Sequence, residues 1–205
     1  LVDHRTWVVA GDGCLMEGIS QEAISLAGHL GLSKLTVLWD DNGISIDGSV
    51  DLSCSDDQLK RFQASGWAVR RIDGHDPDQI AAALTWATKS KKPTLIACRT
   101  IIGFGAPTKA GTSGVHGAAL GGSEADAAKA ALGWTAAPFE VPADIKEAWE
   151  AAGRRSAGTR RSWLKRLAKH PQQAEFDRAL SGKLPEAWHE ALAALRAKHA
   201  EEMPK

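Results

Sequence analysis

Trp7-Val8-Val9-Ala10-Gly11-Asp12-Gly13-Cys14-Leu15-Met16-Glu17-Gly18 is the stretch whose reading decides the fold. A short apolar run, ended by a glycine-flanked aspartate, reads as a buried strand over 5–10, and a helix-forming segment follows it at once. A second stretch repeats the plan: Leu35-Thr36-Val37-Leu38-Trp39-Asp40-Asp41-Asn42-Gly43-Ile44-Ser45-Ile46-Asp47-Gly48. It is an apolar strand over 35–39 that breaks into an acidic, amide-bearing loop. Two oxygen-rich loops, each just past a strand end, are what a hard cation needs to hold a phosphorylated ligand. Gly, Asp and Asn are also the commonest turn formers, so either loop alone could be a plain turn.

The rest of the chain alternates in the same way. The segment 17–30 repeats Ile19, Ala23, Leu26, Ala27 and Leu30 at helical spacing, and Gly31 stops it. Ser55-Asp56-Asp57 opens a helix that carries Leu59 and Phe62 and ends near Gly66. Strands are expected over 67–72 and 94–98. Between them, Asp76-Pro77 starts a helix with Ile80, Ala83, Leu84 and Ala87 on one face. Such alternation predicts an α/β fold, a parallel sheet flanked by helices on both faces.

After Arg99 the periodicity is lost. Residues 103–117 hold five glycines, and a loop this long in a compact domain is usually functional or disordered. Helices are expected near 123–132 and 143–152, then over 159–181 and 186–201. Beyond Gly153 the composition turns basic, with Arg154, Arg155, Arg160, Arg161, Lys165, Arg166 and Lys169 close together. We read 1–153 as part of a ligand-binding domain and 154–205 as a helical linker. The basic residues alternate with apolar ones at helical spacing, as on a solvated helix face.

Bulk properties narrow the class. The 205 residues carry 25 basic and 25 acidic side chains, a zero balance that argues against a dedicated nucleic-acid or membrane-surface protein. Cys14, Cys54 and Cys98 are odd in number and far apart, so a reducing, cytoplasmic compartment is expected. No apolar run is long enough to span a bilayer, and no signal peptide is expected. The start at Leu1, almost on a strand and without methionine, suggests a piece of a longer polypeptide.

Asp12 offers a carboxylate, Asn42 an amide oxygen and Ile44 a backbone carbonyl, a donor set suited to magnesium. The amide of Gly13, at a helix start, faces an anion favourably. Gly11-Asp12-Gly13 with Asn42 at this distance resembles the diphosphate-binding motif of thiamine diphosphate enzymes. The wider set is similar to the transketolase family: Gly11 to Ser20, Ser25-Leu26-Ala27-Gly28-His29-Leu30, Asp40-Asp41-Asn42, Ile46-Asp47-Gly48, Thr100-Ile101-Ile102-Gly103-Phe104-Gly105 and Gly114-Val115-His116-Gly117. The general motif often has two asparagines where this chain has Asp41-Asn42, and transketolases commonly carry the aspartate. The likeness is close over about 5–142 and looser through the tail.

That resemblance implies a thiamine diphosphate-binding fold and a set of roles. Asp12, Asn42 and the Ile44 carbonyl would bind Mg2+, with Ca2+ as a possible substitute. Gly13 and Asn42 would contact the diphosphate, Ile46 and Ile102 would pack near the thiazolium, and His116 would face the reacting centre and contact cofactor and sugar. Glu17 would join a carboxylate network at the interface of a homodimer. The implied reaction moves a two-carbon ketol unit from a ketose phosphate to an aldose phosphate, as in pentose phosphate and Calvin-type sugar interconversion. The pyrimidine-binding domain and its activating glutamate are not in this stretch, so inactivity of the chain alone is expected. Dihydroxyacetone synthase, deoxyxylulose-phosphate synthase or an isolated non-catalytic domain are the alternatives. His4, His29, His75, His170, His189 and His199 have no comparable context and read as ordinary.

Overall fold

A computed structural model describes residues 1–202, and the chain divides into two compact units, Val2–Ala137 and Pro138–Lys205 with Leu1. In the first unit, four parallel strands form one sheet in the order β1-β2-β6-β5: β1 is Thr6–Gly11, β2 Leu35–Asp41, β5 Ala68–Asp73 and β6 Thr94–Arg99. A two-residue hairpin, β3 (Ile44–Ser45) with β4 (Gly48–Ser49), leaves the end of β2. The helices are α1 (Asp12–Met16), α2 (Gly18–His29), α3 (Gln58–Ala64), α4 (Pro77–Lys89) and α5 (Gly122–Ala131). The expected α/β architecture is therefore the observed one.

Alternation along the strands decides which helix covers which face. Val37, Trp39, Leu95 and Ala97 point to one side, where Leu15 of α1, Ile24 and Ala27 of α2, and Phe62 of α3 complete a core. Leu38, Ile96 and Ile72 point to the other, against Ile80, Ala83, Leu84 and Ala87 of α4. On that second face the Thr94 hydroxyl donates to the Thr36 hydroxyl at 2.8 Å, pairing two buried polar groups across β6 and β2.

The helix starts are capped as the sequence suggests. Asp57 accepts from the Lys60 amide at 3.0 Å, and Asp76 accepts from Asp78 and Gln79 at 2.9 and 3.1 Å with Pro77 in the first turn.

Two expectations need correction. The strand at 5–10 is not buried: β1 is an edge strand with β2 as its one neighbour, and Val9 is 78% exposed. In α2 the apolar stripe of Ile19, Leu26 and Leu30 is exposed, and the helix packs inward through Ile24 and Ala27. It can do so because Gly28 has no side chain. A Cβ there would lie 1.7 Å from the Ser65 carbonyl oxygen, so α2 meets the turn after α3 backbone to backbone. The indole of Trp67 donates to the Ile24 carbonyl at 2.8 Å beside this contact and stands edge-on to Phe62 with ring centres 5.0 Å apart.

The second correction lies in the second unit. It consists of α6 (Ala143–Arg154), α7 (Ala157–Leu167), α8 (Gln173–Leu180) and α9 (Trp188–Glu202). The single helix expected over 159–181 is broken between α7 and α8. Pro171 cannot donate an amide hydrogen and disfavours a helical His170 before it. No helix among the described residues is long and apolar enough to cross a membrane.

Gly28→Ala should lower the unfolding free energy of the chain by about 1–3 kcal/mol, the usual cost of overpacking a closed site. Gly153→Ala in α6, where an added Cβ meets nothing within 4 Å, should leave stability unchanged or slightly higher. Urea denaturation of both variants checks this; equal midpoints would contradict the close α2 contact.

Candidate functional site

The parallel register lines up the carboxyl ends of the strands. Gly11 pairs with Asp40, Asp41 with Arg99, and Asp73 with Arg99. Asp12 and Asn42 therefore leave neighbouring strands at the same sheet edge, where α/β sheets bind ligands. A cleft of about 1280 Å³ opens there and is lined in part by Asp12, Trp39, Asn42, Gly43, Ile44 and Arg99.

Asp12 is the best-fixed group of the edge. It is only 7% exposed, and both carboxylate oxygens accept hydrogen bonds. The Gly43 amide donates to one at 2.8 Å, and the Trp39 indole donates to the other at 3.0 Å. Gly43 can aim its amide this way because it holds a positive φ of 73°. Burial pushes the Asp12 carboxyl above its ordinary 3.8, against the downward pull of the Gly43 and Trp39 donors; Asp41 and Asp40 add to the rise. A carboxylate under such pressure gains from a nearby cation.

Asn42 is held in a turn. Its side-chain oxygen accepts from the Ile44 amide at 2.9 Å, and its amide group donates to Asp40 at 3.0 Å. Asp41, also buried, faces the guanidinium groups of Arg71 and Arg99 at 3.0 and 3.3 Å. Asp12, Asn42 and Ile44 thus line one cleft. A carboxylate, an amide oxygen and a backbone carbonyl are hard oxygen donors of the kind magnesium or calcium takes. Their donor set is not a cluster of acidic, histidine or cysteine ligands, and no such cluster of three occurs among the described residues.

The remaining expected residues lie outside this lining. Gly13 is exposed in the first turn of the five-residue α1. Glu17 is exposed at the junction of α1 and α2, and its side chain caps no amide. Ile46 is 72% exposed between β3 and β4. Ile102 is half-buried in the loop after β6, and His116 is exposed just after a 3₁₀ turn, Ser113–Val115.

Sequence reasoning missed Trp39 and His75. Trp39 read as an ordinary strand residue, since nothing local says that its indole reaches Asp12. His75 was placed among the histidines without context, yet it lines the cleft. Its position between a strand-ending Asp73-Gly74 and the helix-starting Asp76-Pro77 was the available signal.

Comparisons with known proteins bear on the family and the fold. The family described as "Transketolase, thiamine diphosphate binding domain" matches residues 1–185. A transketolase from Cereibacter sphaeroides is 52% identical over the whole chain, which corresponds to 31% of that protein. Transketolase 1 of Vibrio cholerae is 52% identical over 93% of the chain and 30% of its own length. Among solved structures, transketolase from Leishmania mexicana superposes with a TM-score of 0.83 at 39% identity, covering 91% of this chain and 29% of that one. Transketolase from Campylobacter jejuni gives 0.81 at 37%, covering 87% and 28%. The chain thus spans about a third of the length of the relatives it matches, and their names favour transketolase over the related synthases. With the match running through both strand-end loops and most of the helical tail, the chain belongs to the transketolase family, in its thiamine diphosphate-binding domain.

Proposed function

We propose that this chain is the diphosphate- and metal-holding part of a transketolase, an enzyme that moves a two-carbon ketol unit between sugar phosphates. The observation that carries the reading is the buried Asp12 carboxylate, locked by Gly43 and Trp39 beside Asn42 and Ile44 at the edge of β1 and β2. Asp12, Asn42 and the Ile44 carbonyl would hold Mg2+, with Ca2+ able to replace it. The Gly13 amide and Asn42 would take the diphosphate, and Ile46 and Ile102 would give the thiazolium an apolar seat. When bound, thiamine diphosphate supplies the chemistry that carries the two-carbon unit, and the protein supplies placement and electrostatics.

His116 would lie over the reacting centre, where neutral imidazole can hold or release a proton near neutral pH. Glu17 would serve a carboxylate network in a homodimer, and the exposed stripe of Ile19, Leu26 and Leu30 on α2 is the kind of surface a partner covers. We assign 1–153 to the diphosphate-binding domain and 154–205 to a linker, on the shift to basic helices after Gly153. A cytoplasmic homodimer acting on sugar phosphates is the assembly this reading implies.

Asp12→Ala in the complete enzyme should weaken magnesium-dependent cofactor binding by on the order of 100-fold. Removing one partner of a buried charge pair costs about 2–5 kcal/mol. Calorimetry with and without magnesium measures it, and unchanged affinity would show the site misassigned. Burial raises the Asp12 pKa, so in the wild type this affinity should fall as the pH drops, starting above the 3.8 of an ordinary carboxylate.

For His116→Ala, steady-state kinetics should show turnover lower by about 10²–10⁴-fold, with the magnesium dependence little changed. Near-wild-type turnover would remove His116 from the reaction.

The 205-residue chain alone should bind the cofactor weakly and show no ketol transfer, because the pyrimidine pocket lies elsewhere in the family. A coupled ketol-transfer assay on purified chain of confirmed mass tests this. Turnover comparable to an intact transketolase would refute the division of labour.

A further inference from the structure

The loop 101–117 carries both Ile102 and His116, yet it is tied to the sheet in few places. Its own hydrogen bonds are mostly internal: Phe104 to the Ile101 carbonyl at 3.1 Å, Ala106 to Gly103 at 2.9 Å, and Gly111 to Ile102 at 2.8 Å. Thr108 and Lys109 bond to Glu124 of α5, and the Lys109 amine to the Leu120 carbonyl, all on the far side of the loop. Among the described residues, one side chain of the sheet unit before residue 100 hydrogen-bonds this loop, and it is His75. The Ile101 amide donates to His75 Nε2 at 3.0 Å, and the imidazole stacks on Phe104 with ring centres 4.0 Å apart and planes 22° apart.

His75 stands on a rigid base. Gly74 donates to the Arg99 carbonyl at 2.7 Å. A Cβ on Gly74 would lie 2.4 Å from the Thr100 side chain, so the turn presses directly on the end of β6. The His75 amide donates to Asp73 Oδ1 at 2.9 Å, and Asp76 begins α4 immediately after. From the loop side the contact is passed on. Gly103, with φ 66°, is closed by Val115, whose side chain would be 3.0 Å from an added Cβ, and His116 follows Val115 in the chain.

We propose that His75 is a positioning residue: it pins the glycine-rich loop to the sheet and so sets the placement of Ile102 and His116 over the bound cofactor. The inference rests on the transketolase reading for its consequence, but the pin itself does not. To accept from Ile101, Nε2 must be unprotonated, which puts the imidazole proton on Nδ1. The pin has two separable parts, an acceptor atom and a flat ring, and two substitutions divide them. Phe keeps the ring for Phe104 and removes the acceptor. Gln keeps an oxygen near the Nε2 position and removes the ring.

The test uses His75→Phe and His75→Gln in two settings. In the 205-residue chain, amide hydrogen exchange should quicken across 101–105 by about fivefold in His75→Phe, the factor expected for one net hydrogen bond, with Gly43 unchanged. His75→Gln should restore part of that protection. In the complete enzyme, His75→Phe should lower kcat and raise the KM for thiamine diphosphate, His75→Gln should recover part of both, and the thermal midpoint should barely move. Unchanged exchange at Ile101 overturns the pin, whatever the enzyme does. Faster exchange with wild-type kinetics, in an enzyme where Asp12→Ala weakens cofactor binding as expected, overturns the positioning role and leaves the functional reading intact. If Asp12→Ala also leaves cofactor binding unchanged, both fall.

Discussion

A buried carboxylate at the end of an edge strand is the constraint on which the site depends. Asp12 sits where β1 becomes α1, and desolvation disfavours its charged form. Two donors from the β2 side, the Gly43 amide and the Trp39 indole, hold that charge in place. These bonds also join the loops after β1 and β2 into one rigid edge. A cation would add the remaining compensation. The group that burial penalises most at this edge is therefore also the one whose orientation is set by two donors.

That edge is held still by the layers behind it. Trp39 belongs at once to the site and to the core formed with α1, α2 and α3, so the donor to Asp12 cannot swing away without opening the core. Close packing of α2 through Gly28 fixes the helix that follows α1, and α4 closes the opposite face behind β6 and β5. The glycine-rich loop after β6 lies against α5 instead: Thr108 and Lys109 bond to Glu124, and a Cβ on Gly105 would lie 2.7 Å from the Leu132 side chain. Its position relies on internal turns, on α5 and on few ties to the sheet.

Much of the architecture was legible in the residues. Strand–helix alternation, the caps at Asp57 and Asp76 and the core face of α4 follow from local rules of spacing and hydrogen bonding. Burial of β1 was misread, and the reason is general. Apolar content reports that a surface can be covered, while coverage itself depends on which elements become neighbours. The break at His170-Pro171 was written in the chain and passed over.

The sequence by itself determined the fold class, the family and the pair of strand-end loops with Asp12 and Asn42, because these depend on residue types at short spacing. Only the tertiary structure decided what Asp12 touches, that Trp39 serves it from 27 positions away, and that His75 reaches Ile101 across 26. Such contacts are made by parallel register and by the order β1-β2-β6-β5, which bring distant strand ends side by side. No local pattern encodes them, since the side chains that meet there share neither a helix turn nor a strand.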